Sequence, residues 1–294
     1  MNIKYSVYNY SSEIINSRIN ELYKKVFNQD FSNNFDWWYL NNPLGKAIGI
    51  IACDGERVIG HFAVSPIKIN IKGNVSSQLI SLAAMVDADY QGMGIFKKLG
   101  NELFGHLIDN TDYDFIIAFP NDNSLKVHLG ALNYVFIRDF NFVVFDKVDE
   151  KKSNQYKMVD SYGITEISHD KIHLYRSLEF LKWRYVNENR YKIIKDDKGN
   201  EFVVSKFKNK ADILLWNTNL DVNDFKKFVQ YLYRYLNVND VSTWNTFDIF
   251  NELGRQEKRG YHFCVRFLNE EIPEKALLRD KENWVFMMGD CELF

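Results

Sequence analysis

The four residues Gln91-Gly92-Met93-Gly94 limit the fold more than any other stretch of this chain. They stand between an apolar run, SQLISLAAMV (77–86), and a stretch of helical spacing, IFKKLGNELFGHLID (95–109). In the second stretch Ile95, Phe96, Leu99, Leu103, Phe104, Leu107 and Ile108 fall on one face, with the lysines, Asn101 and Glu102 opposite. A strand, a glycine turn and a helix in that order aim backbone N–H groups at whatever lies over the helix start. Such a place suits phosphate, because unsatisfied amides and the helix dipole both favour negative charge. Glycine lets a ligand approach the backbone closely. Two glycines alone fit a plain tight turn better than a ligand loop.

Composition narrows the class. The chain has 294 residues, enough for one or two domains with a proper core. Its 37 basic and 39 acidic residues nearly cancel, which argues against nucleic acid as the main partner. Cys53, Cys264 and Cys291 are far apart and form no metal or redox spacing, so they read as reduced thiols. No stretch approaches the ~18 apolar residues of a membrane span, and the first residues have no apolar run fit for a secretion signal. The expectation is a soluble cytoplasmic protein, with no membrane and no nucleic acid among its partners.

Along the chain, NIKYSVYNY reads as a strand and SSEIINSRINELYKKVF as a helix capped by Ser11 or Ser12. FDWWYLNNP is a short aromatic helix or turn stopped at Pro43, and AIGIIACDGERVIGHFAVS is a hairpin about Asp54-Gly55. DFIIAFP is a buried strand, NSLKVHLGAL a short helix, and YVFIRDFNFVVF one or two strands. The polar stretch DEKKSNQYK (149–157) places a linker at 149–160, between domains 1–148 and 161–294. The second half repeats the first: Trp37, Tyr39 and Asn41 match Trp183, Tyr185 and Asn187 at a constant offset, and a hairpin follows both. A capped helix, DVNDFKKFVQYLYRYLN, then takes the place of the helix at 95. Duplication of one domain explains this order.

Known phosphate loops discriminate further. The third glycine of a dinucleotide fingerprint is missing, and no Walker lysine is present. Gln91-Gly92-Met93-Gly94-Ile95 resembles the pyrophosphate loop of the GNAT acetyltransferases, Q/R-x-x-G-x-G/A, with Phe96 departing at the last position. The resemblance covers residues 1–148 in full and 160–294 as a degraded copy. It implies an α/β (α+β) GNAT fold: a central mixed, mostly antiparallel sheet flanked by helices, with a second, degenerate GNAT-like domain.

The same resemblance implies a function. The pantetheine of acetyl-CoA, the co-substrate, would run beside Ala84, Met85 and Val86. Its pyrophosphate would lie on the amides of Gln91, Gly92, Met93, Gly94, Ile95 and Phe96. Asn123 and Ser124 would approach it from the next helix start. A primary amine of a small molecule, amino sugars included, would attack the thioester directly in a ternary complex. Leu129 holds the position where many family members place a tyrosine acid. His128, its neighbour, and the C-terminal carboxylate of Phe294 are the candidate catalytic groups, while Asp87 and Asp89 flank the loop and shape the turn. Trp38, Tyr39 and Arg184 are candidates to bind the acceptor. His169 and His173 share a helical spacing but have no third ligand, so they read as a helix surface and no metal is expected. A homodimer is compatible with the sequence. Two alternatives stay open: a non-catalytic CoA-binding or regulatory protein, and a transferase of a longer acyl or aminoacyl group.

Overall fold

The computed structural model describes residues 2–148, 155–160, 170–185, 190–216, 221–246, 250 and 252–291. Two compact units emerge. The first takes Met1–Ile69, Ser76–Arg138 and His262–Lys281; the second takes Asn70–Val75, Asp139–Tyr261 and Glu282–Phe294.

The first unit begins with β1 (Ile3–Tyr8) and α1 (Glu13–Phe27). Ser12 caps α1, accepting from the Ile15 amide at 3.4 Å, and Ile19 and Leu22 are buried. Asn28 ends the helix in the left-handed conformation. α2 (Phe35–Tyr39) is the short aromatic helix, and β2 (Ile48–Asp54) and β3 (Arg57–Ile71) form the expected hairpin. The stretch IKINIKG extends the hairpin by continuing β3, which turns at Lys72-Gly73 into β4 (Asn74–Val86). α3 (Ile95–Asn110) returns the chain to β5 (Phe115–Ala118), which runs parallel to β4. α4 (Asp122–Gly130) follows. The sheet order is β1-β2-β3-β4-β5, and Cys264–Phe267 adds an antiparallel strand beyond β5. That pairing draws His262–Lys281 into the first unit, whereas the sequence reading kept all of 161–294 together. The four-residue β5 carries only buried side chains, and a partner on each side satisfies its backbone.

α3 provides the core on one sheet face. Ile95, Leu99, Leu103, Phe104 and Leu107 pack on Ile50, Ala52, Ile59, Phe62 and Val64. Burial of side chains of this kind contributes about 1.5–3 kcal/mol each, so α3 is anchored along its length and its first turn has a fixed place.

The second unit repeats this order. β6 (Val135–Phe145) and β7 (Tyr156–Met158) precede β8 (Ile172–Leu174) and α5 (Leu178–Arg184), the counterpart of α2. β9 (Tyr191–Asp196) and β10 (Glu201–Phe207) form a hairpin, and β11 (Lys210–Trp216) continues it. α6 (Val222–Tyr235) then leads to β12 (Asp240–Trp244), parallel to β11 as β5 is to β4. The sheet order is β6-β12-β11-β10-β9-β7. Phe228 of α6 stacks on Phe202 at 3.5 Å between centroids. β13 (Gly254–Phe267) follows, and its end and α7 (Lys275–Arg279) belong to the first unit. Arg176 donates to both carboxylate oxygens of Asp290 inside the second unit, with side chains 6% and 1% exposed.

Candidate active site

β4 is the axis of the site. Its ladder with β5 pairs Leu79 with Ile116 and Ile80 with Ile117, yet β4 continues to Val86. Beyond Ile80 the two parallel strands no longer pair, and the backbone of Ala84, Met85 and Val86 lies past that fork. Ala83 has φ +31°, a left-handed bend inside a strand. Met85 and Val86 turn their side chains into the protein, and Ala84 packs against the α3 core.

Asp87 anchors the loop that follows. Its carboxylate is 1% exposed, takes the Lys25 ammonium at 2.6 Å and the Arg57 guanidinium, and accepts from the Asp89 amide at 3.2 Å. Burial alone would raise its pKa. The Lys25 bond, the Asp89 amide and the two cations outweigh that and hold it below the usual carboxylate range. The Tyr90 hydroxyl donates to Asp54 at 3.0 Å, and Gln91 reaches back to the Val86 carbonyl at 3.5 Å. The loop is thus held from both sides, while Gln91, Gly92, Met93 and Gly94 face solvent.

Gly92 and Gly94 have φ +78° and +74°, the left-handed region that favours glycine. A Cβ at either position would meet nothing within 4 Å, so the space over the backbone is open. Gly94 is the N-cap of α3 and offers no side-chain cap, and no acid stands in the first turn. Lys97 and Lys98 are exposed there instead. A helix start normally attracts acids; cations and bare amides at this one complement an anion from outside. The equivalent helix of the second unit differs. Asp221 caps α6 by accepting from the Asn223 amide at 2.8 Å, and Asp224 stands in its first turn. The anion-ready terminus belongs to the first unit.

Asn123 and Ser124 sit at the start of α4, with Asn123 exposed. The capping residue is Asn121, which the sequence reading passed over. Its side chain accepts from the Ser124 amide at 3.0 Å, and the Ser124 hydroxyl turns onto it at 3.2 Å. His128 is 4% exposed. Its Nδ1 lies 2.9 Å from the Ser124 carbonyl, and its ring meets Phe96 edge-on at 5.9 Å and Tyr134 at 5.0 Å. The structure therefore brings the Phe96 and His128 side chains together, with the His128 ring on the Ser124 carbonyl. Burial lowers the His128 pKa, opposed by the Ser124 bond, and keeps the imidazole neutral. A carbonyl only accepts, so Nδ1 carries the proton and the Nε2 lone pair is left.

The acceptor candidates are buried side chains. Tyr39 is fully buried and stacks on Tyr10 at 4.6 Å, while Trp38 is 9% exposed and leans on Trp37 at 4.8 Å. Both pack the aromatic cluster formed by α2. Arg184 lies in the second unit, buried, donating to the Tyr191 hydroxyl at 3.1 Å and the Cys291 carbonyl at 3.0 Å. His173 is not on a helix: it is buried in β8 between Ile172 and Leu174, and His169 lies outside the described residues. Phe294 also lies outside them. Among the described residues no group of three His, Cys, Asp or Glu side chains could hold a metal, and no helix is long and apolar enough to cross a membrane. Sequence reasoning missed His61, 22 residues from Ala83 along the chain, whose Nδ1 lies 3.3 Å from the Ala83 carbonyl. It also missed His262, whose Nε2 lies 2.8 Å from Asp122. Neither has a local signal, because each partner is far away in the chain.

Comparison with known proteins agrees with this geometry. Residues 13–127 match the family model of the acetyltransferase (GNAT) domain. No curated protein matches the chain. A "probable N-acyltransferase" of Enterococcus faecalis V583 superposes with a TM-score of 0.67 at 10% identity, over 92% of this chain and 73% of that one. N-myristoyltransferase of Saccharomyces cerevisiae, with bound myristoyl-CoA, gives 0.61 at 9% identity over 90% and 82%. A tandem GNAT protein from the clavulanic acid biosynthesis pathway gives 0.57 at 11% over 91% and 99%. The fold is therefore that of the GNAT proteins, with its order of elements repeated, and within it residues 13–127 match the model of the GNAT acetyltransferase domain.

Proposed function

We propose that this chain is an N-acyltransferase that moves an acetyl group from acetyl-CoA to a primary amine of a small molecule. The observation that carries the reading is the start of α3: uncapped, open above Gly92 and Gly94, and without an acid in its first turn. The amides from Gly92 to Phe96 hold the pyrophosphate, where the helix dipole favours it. The backbone of Ala84, Met85 and Val86 pairs with the pantetheine as an added strand would. Beyond Ile80, β4 leaves that edge without its β5 partner.

The neutral amine attacks the thioester carbonyl, and an amide near Met85 or Val86 donates to the developing oxyanion. His128, neutral and bare at Nε2, accepts the amine's proton. The CoA thiolate then leaves, and it needs little acid help, so leucine at position 129 is compatible with turnover. Amino sugars are candidate acceptors. A longer acyl group is the second reading, favoured by the likeness of fold to a protein that binds myristoyl-CoA.

The test is thiol release from acetyl-CoA and from longer acyl-CoAs across a panel of primary amines. Turnover with acetyl-CoA supports the reading, and preference for a longer chain transfers it to the second. Binding of acetyl-CoA without turnover on any amine overturns catalysis and leaves a CoA-binding regulator.

A further inference from the structure

His61 stands in β3, fully buried, and the proposed chemistry does not use it. Both of its ring nitrogens are engaged. Nδ1 lies 3.3 Å from the Ala83 carbonyl of β4, and Nε2 lies 3.0 Å from the Tyr10 hydroxyl. Because a carbonyl only accepts, Nδ1 carries the proton, and Nε2 accepts from the Tyr10 O–H. Burial lowers the pKa of His61 to about 4, so the ring is neutral near pH 7 and this pattern persists.

The hydroxyl is held as firmly as the ring. Tyr10 stacks on Tyr39 at 4.6 Å, and Tyr39 meets His61 edge-on at 5.5 Å. Gly49 makes the room, since a Cβ there would stand 2.4 Å from the Tyr10 oxygen. The far end of this chain of contacts is Ala83, bent at φ +31°. A residue with a Cβ keeps such a conformation only where its surroundings enforce it. The bend falls between the last β4–β5 pair, Ile80 with Ile117, and the Ala84–Val86 edge.

We propose that His61 is a positioning residue: by holding the Ala83 carbonyl it maintains the bend of β4, and the bend sets the direction of the Ala84–Val86 backbone. The inference rests on the reading of that edge as the acyl-CoA strand. Tyr10 acts through His61, because its donation to Nε2 fixes the proton at Nδ1.

The test compares wild type, His61→Leu, His61→Gln and Tyr10→Phe by acetyl-CoA calorimetry, thermal melting and hydrogen exchange of the Ala84–Val86 amides. Leucine removes the donor, and glutamine restores a donor for Ala83 and an acceptor for Tyr10. The expected result is a loss of about tenfold in affinity for His61→Leu, the size of one positioned hydrogen bond, with faster exchange at 84–86. His61→Gln returns to within about threefold of wild type even where its melting temperature falls. Tyr10→Phe shows a smaller loss of the same kind.

A purely structural histidine would lower the melting temperature of both His61 variants and leave affinity and exchange of the folded protein unchanged; that result overturns the proposal and spares the acyl-CoA reading. If His61→Leu does not fold, unchanged affinity and exchange in Tyr10→Phe overturn it equally, and the expected losses there support it. Wild type that binds no acyl-CoA refutes the reading of the edge, and the proposal with it.

Discussion

Replacing Gly94 by aspartate and, in parallel, by asparagine isolates the electrostatics of the α3 terminus. Gly94 has φ +74° and ψ +7°, a left-handed conformation that Asn and Asp tolerate better than other residues with a Cβ. A Cβ there meets nothing within 4 Å, so neither variant clashes with the protein. The two side chains have nearly one shape and differ by one charge. The carboxylate introduced by Gly94→Asp would lie roughly 4 Å from an anion held on the neighbouring amides, a repulsion of ~1 kcal/mol per charge pair in bulk water and ~4 kcal/mol at an effective dielectric constant near 20. Acetyl-CoA affinity of Gly94→Asp is therefore expected to fall about fivefold to several hundredfold below that of Gly94→Asn. The folded state itself is not penalised, because a negative charge at a helix start is favourable by about 0.3–1 kcal/mol. Calorimetry on wild type and both variants measures the difference. Raising the salt to about 1 M shortens the screening length to ~3 Å and should narrow the gap. Equal affinities for the two variants, beside a wild type that binds, would refute the assignment of the anion to this terminus.

Three further outcomes follow from the packing. His61 has its pKa lowered from 6.5 to about 4, so the unfolded chain takes up a proton before the folded one does. Stability should be complete above pH 6.5 and decline as the pH falls toward 4, by about 3 kcal/mol from this group; His128, also lowered, acts in the same direction. Melting curves of wild type and His61→Gln between about pH 7 and 4 check this, the variant showing the shallower decline. Asp87→Asn removes a carboxylate held low by Lys25 and Arg57, whose own side chains are 41% and 51% exposed. The expected loss near neutral pH is roughly 2–4 °C in melting temperature. It should vanish as the pH drops through the Asp87 pKa, because that stabilisation exists only above it. Gly254→Ala would set a Cβ 2.1 Å from the Val144 carbonyl oxygen and 2.7 Å from the Phe145 Cα. Backbone cannot yield as a side-chain tip does, so a destabilisation of about 1–3 kcal/mol or more is expected in chemical denaturation, and wild-type stability would contradict the close approach.

Several elements were legible in the sequence because their causes lie within a few residues. The apolar spacing of 95–108 gives α3 its buried face, and the glycines at 92 and 94 form the turn before it, in the left-handed conformation. Ser12 caps α1 and Asp54-Gly55 turns the β2–β3 hairpin, as local chemistry requires. The repeat of Trp37 and Tyr39 in Trp183 and Tyr185 pointed to a second unit, whose parallel strands β11 and β12 flank α6 as β4 and β5 flank α3. The helical spacing of His169 and His173 misled, because a spacing of four carries no information where the chain is extended, as at Ile172–Leu174.

The candidate site divides the same way. Its glycine loop and the strand and helix around it were determined by the sequence alone, since turn conformation and side-chain period act over one or two turns of chain. What surrounds the loop was decided by the tertiary structure. His61 meets Tyr10 at a separation of 51 positions and Ala83 at 22; His262 meets Asp122 at 140. His262–Lys281 joins the first unit because Cys264–Phe267 pairs with β5. Pairings over such distances leave no periodicity to read: they arise only when buried backbone and side-chain polar groups, brought together by the packed sheet, must find partners to replace water.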